Sequence, residues 1–297
     1  MGLRINPDMT QAVLTALERL RAQENTALEQ VASGRRINRL ADDPAASAAL
    51  VQSQSQIKKT DQFLKNLTSL RAQLQSGDSA LNSVVAVLTR AITMGIQGAN
   101  GTLSPEDRKA IAQEVSGIQE QVLGLANSAF SGSYLFAGTA VTVPPFALDS
   151  SQPSGVRYDG NTGANSVEVA EGQLVRLQLP GSQIFTAPAA DVFQAMNGLV
   201  AALESGAGID TAVSALQNAF QHVNQVRAFY GITMARLDGT EKILNQEKLD
   251  LTQSETDLTG ADLAQVLTDL KQIETARNAV LGAGSKILQL TLIDFLK

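Results

Sequence analysis

The chain of 297 residues has no cysteine, no tryptophan and a single histidine. Without cysteine there is neither a disulfide framework nor a thiolate metal site, and one imidazole rules out any zinc site built on several histidines. Aromatic residues make up only 4% of the chain, and together with the many Ala and Gln residues this favours helical rods over a thick globular core. Neither GxGxxG nor GxxxxGK followed by Ser or Thr occurs, so no phosphate-cradling loop and no cofactor are expected. No run reaches the ~18 consecutive apolar residues that a membrane span requires, so no membrane partner is expected. The start, MGLRINPDMT, lacks the apolar core of a cleaved signal peptide, which by itself favours the cytoplasm. A net charge of -6 and a pI near 4.9 argue against a nucleic-acid partner, which usually meets a basic face.

What the chain does contain is apolar periodicity. Phe63, Leu67, Leu70, Leu74, Gly77, Leu81, Val84, Leu88 and Ala91 follow one another at alternating steps of four and three, one stripe along a helix. A second tract runs Ile111, Val115, Ile118, Val122, Leu125 and Ala129. The third runs from Ile209 through Val213, Leu216, Phe220, Val223, Arg227, Tyr230, Met234 and Leu237 to Leu258. In its later part charged Glu241, Lys248 and Glu255 alternate with Leu244 and Leu251, which implies a thinner contact between fewer helices. The tracts enclose a Gly- and Pro-rich segment between about 131 and 190, so the chain is expected to fold back on itself as a mainly α, elongated antiparallel bundle or coiled-coil rod. The stretches GVRYDG, SVEVA and QLVRLQLPG have period two and turn residues between them, and predict two or three antiparallel strands resting on the helices.

Helix ends are written in the local sequence. Asp43-Pro44 suits a helix start, as does NGTLSPED, in which Asn100-Gly101 makes a turn, Ser104 an N-cap and Pro105 the first helical position. ADVFQAMNGLVAALESG reads as a helix ending at Gly206. Thr259-Gly260-Ala261-Asp262 resembles a capping box, after which the stripe shifts phase by one and a final helix runs over roughly 261–296.

Two shorter stripes lie near the ends. Met9, Val13, Leu17 (or Ala16), Leu20, Ala27 and Val31 form one, interrupted by Glu24; Leu263, Val266, Leu270, Ile273, Val280 and Ile287 form the other. In the last eleven residues Ile287, Leu288, Leu290, Leu292, Ile293, Phe295 and Leu296 leave no continuous polar face, in a segment too short to cross a bilayer. Such a surface is buried either in the chain's own core or against neighbouring copies. The second alternative makes Met9, Val13, Leu17, Leu20, Val31, Leu270, Ile273, Val280, Ile287, Leu288, Leu290, Leu292, Ile293, Phe295 and Leu296 a candidate assembly interface.

Catalytic constellations are not evident. His222 lies one step off its stripe with no acidic residue at helical spacing, and Asp42-Asp43 is explained more simply as a helix start before Pro44. Arg35, Arg36 and Arg39 form the one tight basic cluster, a solvated loop in preference to an anion site. No catalytic, cofactor-binding or metal-ligating residue is assigned, and no enzyme activity is expected.

SGRRINRLADDPAASAAL after the N-terminal helix, together with TGADLAQVLTDLKQIETARNAVLGAGSKILQLTLIDFL, resembles the paired terminal regions of the flagellin superfamily. NGTLSPEDRKAIAQEVSGIQEQVLGLANSAFSGSYLFAGT, PPF, VRYDGN and GSQIF resemble its hook-associated branch, which joins hook to filament. Filament flagellins tend to read DDAAG where this chain has Asp42-Asp43-Pro44-Ala45-Ala46, and to end in a Gln-Leu-Leu-rich tail. The resemblance implies a structural subunit exported to the extracellular flagellum by the type III route without a cleaved signal, which reverses the cytoplasmic inference. It also implies termini that are disordered when free and pair as a coiled coil on assembly. Residues 1–40 plus 259–297 would then be the assembly domain, 41–140 plus 191–258 the helical rod and 141–190 a small β insertion. Implied partners are further copies of the chain in a ring or tube, a neighbouring hook-associated protein, flagellin, and an export chaperone at the C-terminal region. A filament flagellin or a non-flagellar coiled-coil scaffold are the alternatives.

Overall fold

A computed structural model describes the backbone of residues 7–295 and the side chains of residues 11–286. Helices α1 (Pro7–Ser33), α2 (Pro44–Gly98) and α3 (Pro105–Ala126) come first. Four antiparallel strand pairs follow: β1 (Ala129–Phe130) with β2 (Ser133–Tyr134), β3 (Phe146–Leu148) with β4 (Val156–Tyr158), β5 (Ser166–Ala170) with β6 (Gln173–Arg176), and β7 (Thr186–Ala187) with β8 (Ala190–Asp191). Helix α4 (Gly181–Ile184) lies before β7, and α5 (Val192–Ser205), α6 (Ile209–Thr259) and α7 (Leu263–Phe295) complete the chain. The fold is thus mainly α with small antiparallel pairs in the middle, as expected. The chain forms two compact units, residues 1–59 with 247–297, and residues 60–246.

In the unit of residues 60–246, the stripes become the core. Leu67, Leu74, Leu81 and Leu88 of α2, Val115, Ile118 and Val122 of α3, and Leu216, Val223, Tyr230, Leu237 and Leu244 of α6 are all buried. Helices α2 and α6 run antiparallel, which three cross-links along their length establish. Arg71 bonds Asp238 and Glu241, Arg227 bonds Asp78 at 3.0 Å, and Gly77 lies against the Tyr230 ring. The charged positions that dilute the third stripe are therefore partly spent on ion pairs: Arg227 faces Asp78, and Glu241 shares Arg71. The glycine at 77 keeps the heptad register because the ring occupies the space of its missing side chain; a Cβ there would stand 2.8 Å from Tyr230 Cε1.

Helix α3 starts as its sequence dictates. Ser104 Oγ accepts from Asp107 N at 3.1 Å, Asp107 reaches back to the Ser104 backbone N–H, and Pro105 opens the first turn. Its far end differs from the periodic expectation. The helix stops at Ala126, which is buried, and Ala129 is exposed in β1. The cause is Asn127, whose amide donates to Phe146 O at 2.8 Å and accepts from Phe146 N at 2.9 Å, pairing with β3 as a strand would.

The strand region builds its own core from the few aromatic residues. Phe146 lies 5.5 Å from Phe185, 5.4 Å from Phe193 and 5.1 Å from Tyr158, ring centre to ring centre. Four strand pairs form where two or three strands were expected, because the two-residue pairs β1–β2 and β7–β8 are too short to show a period of two. Helix α5 is capped by Asp191 Oδ1, which accepts from Gln194 N, and ends at Gly206 with φ of 72°, a left-handed cap suited to glycine.

In the unit of residues 1–59 and 247–297, α1 ends at Ser33, Gly34 follows with φ of 67°, and the chain crosses the segment that leaves α6. Arg36 N donates to Thr259 O at 2.7 Å and Ala261 N to Gly34 O at 3.0 Å, an isolated antiparallel bridge. Asp43 Oδ1 caps α2 by accepting from Ala46 N, a bond that with the Arg36 guanidinium holds this carboxyl below the ordinary carboxylate range. Asp262 accepts from Ala264 N and Gln265 N and so starts α7 at Leu263. This corrects the capping box expected of Thr259, whose hydroxyl bonds back to Glu255 O in α6. The seam between the start of α2 and the end of α6 is polar: Ser47 and Ser53 are buried, Ser53 Oγ donates to Leu251 O, and Gln54 to Glu255.

Candidate assembly surface

The half-buried positions of α1 are Val13, Ala16, Leu17, Leu20, Glu24, Gln30 and Val31, together with Glu29, while Ala27 is fully buried. On α7 up to residue 286 they are Val266, Leu270, Ile273, Arg277, Val280 and Gly284, each separated by four or three residues. These two stripes face each other. Arg277 Nη1 bonds both Glu24 carboxylate oxygens at 2.8 and 2.7 Å, and a Cβ on Gly284 would stand 3.3 Å from Val13 Cγ1. High numbers in α7 meet low numbers in α1, so the pair is an antiparallel two-helix coil.

The structure therefore brings Val13, Leu17, Leu20, Val31, Leu270, Ile273 and Val280 together as the seam of one chain's own coil. Met9, Ile287, Leu288, Leu290, Leu292, Ile293, Phe295 and Leu296 lie outside the residues whose side chains are described. Glu24, read from sequence as an interruption, is the seam's ion-pair partner, its side chain 16% exposed against 35% for Arg277. The signal was available, since opposite charges stand at stripe positions of two helices expected to pair. A carboxylate largely withdrawn from water in this way is held by its partner.

Sequence reasoning also missed the flank of the seam. With Val13, Leu20 and Ala27 at d positions of α1, Leu14, Arg21 and Leu28 fall at e; with Val266, Ile273 and Val280 at d of α7, Leu267, Glu274 and Leu281 fall at e. In an antiparallel pair the e positions of both helices lie on the same side of the seam. Leu14, Leu28, Leu267 and Leu281 are 48–60% exposed. One edge of the coil thus carries leucine, charge, leucine along both helices. A two-helix coil buries one seam, and this one has the beginnings of a second.

The residues weighed for chemistry have structural roles. His222 Nε2 lies 2.8 Å from Gln183 O, tying α6 to α4. Asp42 Oδ2 accepts from the backbone N–H groups of Asn38 and Arg39, at 3.0 and 2.8 Å. Arg36 reaches Asp43 and Leu258 O, and Arg39 reaches Glu29. Among the described residues no group of three or more His, Asp or Glu side chains is placed to hold a metal ion.

The long helices α2 and α6 pair with each other, and the N- and C-terminal helices α1 and α7 close on each other as a coil. The family described as the bacterial flagellin N-terminal helical region matches residues 6–141 of this chain. The chain is similar to flagellar hook-associated protein 3 of Escherichia coli strain K12, at 27% identity over 91% of this chain and 92% of the relative. A flagellin of Halalkalibacterium halodurans is 26% identical over 90% of this chain and 86% of its own length. A solved flagellar hook-associated protein from Vibrio parahaemolyticus shares the fold, with a TM-score of 0.69 at 23% identity, covering 74% of this chain and all of the other.

Proposed function

We infer that the chain is a structural subunit of the bacterial flagellum that works outside the cell and joins hook to filament by self-assembly through its terminal helices. One observation carries this reading: the coil of α1 and α7 satisfies its own seam yet leaves an apolar edge of Leu14, Leu28, Leu267 and Leu281 in water. Residues 1–40 with 259–297 act as the assembly module, 41–140 with 191–258 as the rod and 141–190 as an insertion on it. Further copies of the chain cover the coil's exposed edge, and the neighbours along the axis are another hook-associated protein and flagellin. An export chaperone takes the C-terminal region before that, shielding side chains from Ile287 to Leu296 that leave no polar face in the sequence. The similarity to flagellin over most of the chain keeps a filament subunit as the second reading.

Deleting residues 288–297 tests the proposal. The shortened chain is expected to keep the rod folded and fail to enter flagella; unimpaired incorporation would overturn the reading. Labelling the chain in isolated flagella separates the two readings, with a single band at the hook end for the junction and continuous label for a filament subunit.

A further inference from the structure

The turn between α2 and α3 places a reactive dipeptide in an activating environment. Asn100 and Gly101 are both exposed, and a Cβ on Gly101 would meet nothing within 4 Å, so no side chain crowds the glycine. Asn100 Oδ1 accepts two hydrogen bonds from Thr102, 3.2 Å from its backbone N–H and 3.0 Å from its hydroxyl. We propose that Asn100 is a site of spontaneous deamidation promoted by Thr102.

In the first step the backbone nitrogen of Gly101 attacks Cγ of Asn100 and gives up its proton to water. The new N–Cγ bond forms, negative charge develops on Oδ1, and the Cγ–NH2 bond then breaks, the nitrogen taking a proton back from water to leave as ammonia. Water opens the resulting cyclic imide at either carbonyl, giving aspartate or isoaspartate. Nothing is oxidised or reduced, and water is the one co-reactant. The two Thr102 donors point at the oxygen that becomes negative, the arrangement by which an oxyanion hole lowers a barrier. Glycine adds the conformational freedom that ring closure demands of the following residue.

A second Asn-Gly pair in the same chain supplies the contrast. Asn197 and Gly198 lie inside α5, where the helical ladder fixes the backbone. The Asn197 amide is held at both ends: Oδ1 accepts from Gln119 Nε2 at 2.8 Å and Nδ2 donates to Pro153 O at 3.2 Å. An identical dipeptide is thereby kept from the geometry of attack. Conversion at Asn100 adds a carboxylate in the exposed turn between the end of α2 at Gly98 and the Ser104 cap of α3.

The test is incubation of the folded full-length protein at mildly alkaline pH, with peptide mapping by mass spectrometry for aspartate and isoaspartate at both sites. Asn100 is expected to convert at least about tenfold faster than Asn197. Thr102→Val is expected to slow it by roughly tenfold in the folded protein while leaving the rate in urea nearly unchanged. Gly101→Ala, for which the turn has room, is expected to slow conversion in both states. Equal rates at Asn100 and Asn197 in the folded chain, or a Thr102→Val effect of the same size in urea, would overturn the proposal.

Discussion

Replacing Arg277 by leucine should loosen the terminal coil far more than replacing Arg277 and Glu24 together. The two charges are 2.7 Å apart at the closest oxygen, and at an effective dielectric of 20 a pair even at 4 Å attracts by about 4 kcal/mol. Most of that gain offsets the cost of withdrawing both ions from water, so the net worth of the pair is small. Removing one partner is another matter. Glu24, only 16% exposed, then keeps its desolvation cost without the attraction. A fully buried orphan charge costs about 3–5 kcal/mol, and the residual access of water here reduces this to about 2 kcal/mol. Glu24→Leu with Arg277→Leu makes an apolar layer and should match or exceed the parent, leaving a coupling energy of about 2 kcal/mol in the double-mutant cycle. Hydrogen exchange read by mass spectrometry on peptides of α1 and α7 is the assay, because it reports local opening. The single variant should exchange roughly thirtyfold faster there, with α3 and α5 of the other unit as unchanged references. Additive single effects, with coupling under about 0.5 kcal/mol, would refute the placement of this pair in the seam.

Leu28→Ser with Leu267→Ser should change stability by less than about 0.5 kcal/mol, since both side chains are exposed in the free subunit, yet lower polymer yield in sedimentation. Gly98→Ala would put a Cβ 2.1 Å from Leu203 Cδ2 and Gly77→Ala one 2.8 Å from the buried Tyr230 ring; each should cost about 1–3 kcal/mol in urea unfolding. Burial raises the Tyr230 phenol above its ordinary value of 10.0, so above that pH the unfolded chain loses a proton that the folded chain retains. Stability should accordingly be full below pH 10.0 and fall as pH rises beyond it, and phenolate absorbance should show Tyr230 ionising only with unfolding. Ser104→Ala should cost about 1 kcal/mol by opening the α3 cap, measured by the same urea titration.

The parts of the fold that were legible from sequence are those governed by local periodicity and end chemistry. The stripe from Leu67 to Ala91 states which face of α2 is buried, and Ser104-Pro105 states where α3 begins, because a cap and a helical face need only near neighbours. Where local signals compete with distant ones the reading slipped. Thr259 and Asp262 both suit a cap, and only the crossing of Arg36 and Ala261 near the end of α6 shows that the first serves the helix before and the second the helix after. Ala129 continues a stripe by count, but Asn127 stops the helix by pairing with Phe146, nineteen residues away.

The same division holds for the assembly surface. Sequence alone determined that both ends of the chain carry apolar stripes on helices, since the period of hydrophobic residues is a property of the chain itself. Which stripe residues face each other, which of them water still reaches, and that Glu24 is a seam partner were decided by tertiary structure. An ion pair and an exposed leucine edge depend on the register of two helices some 250 residues apart in the chain, and register is set by packing between surfaces that no local segment contains.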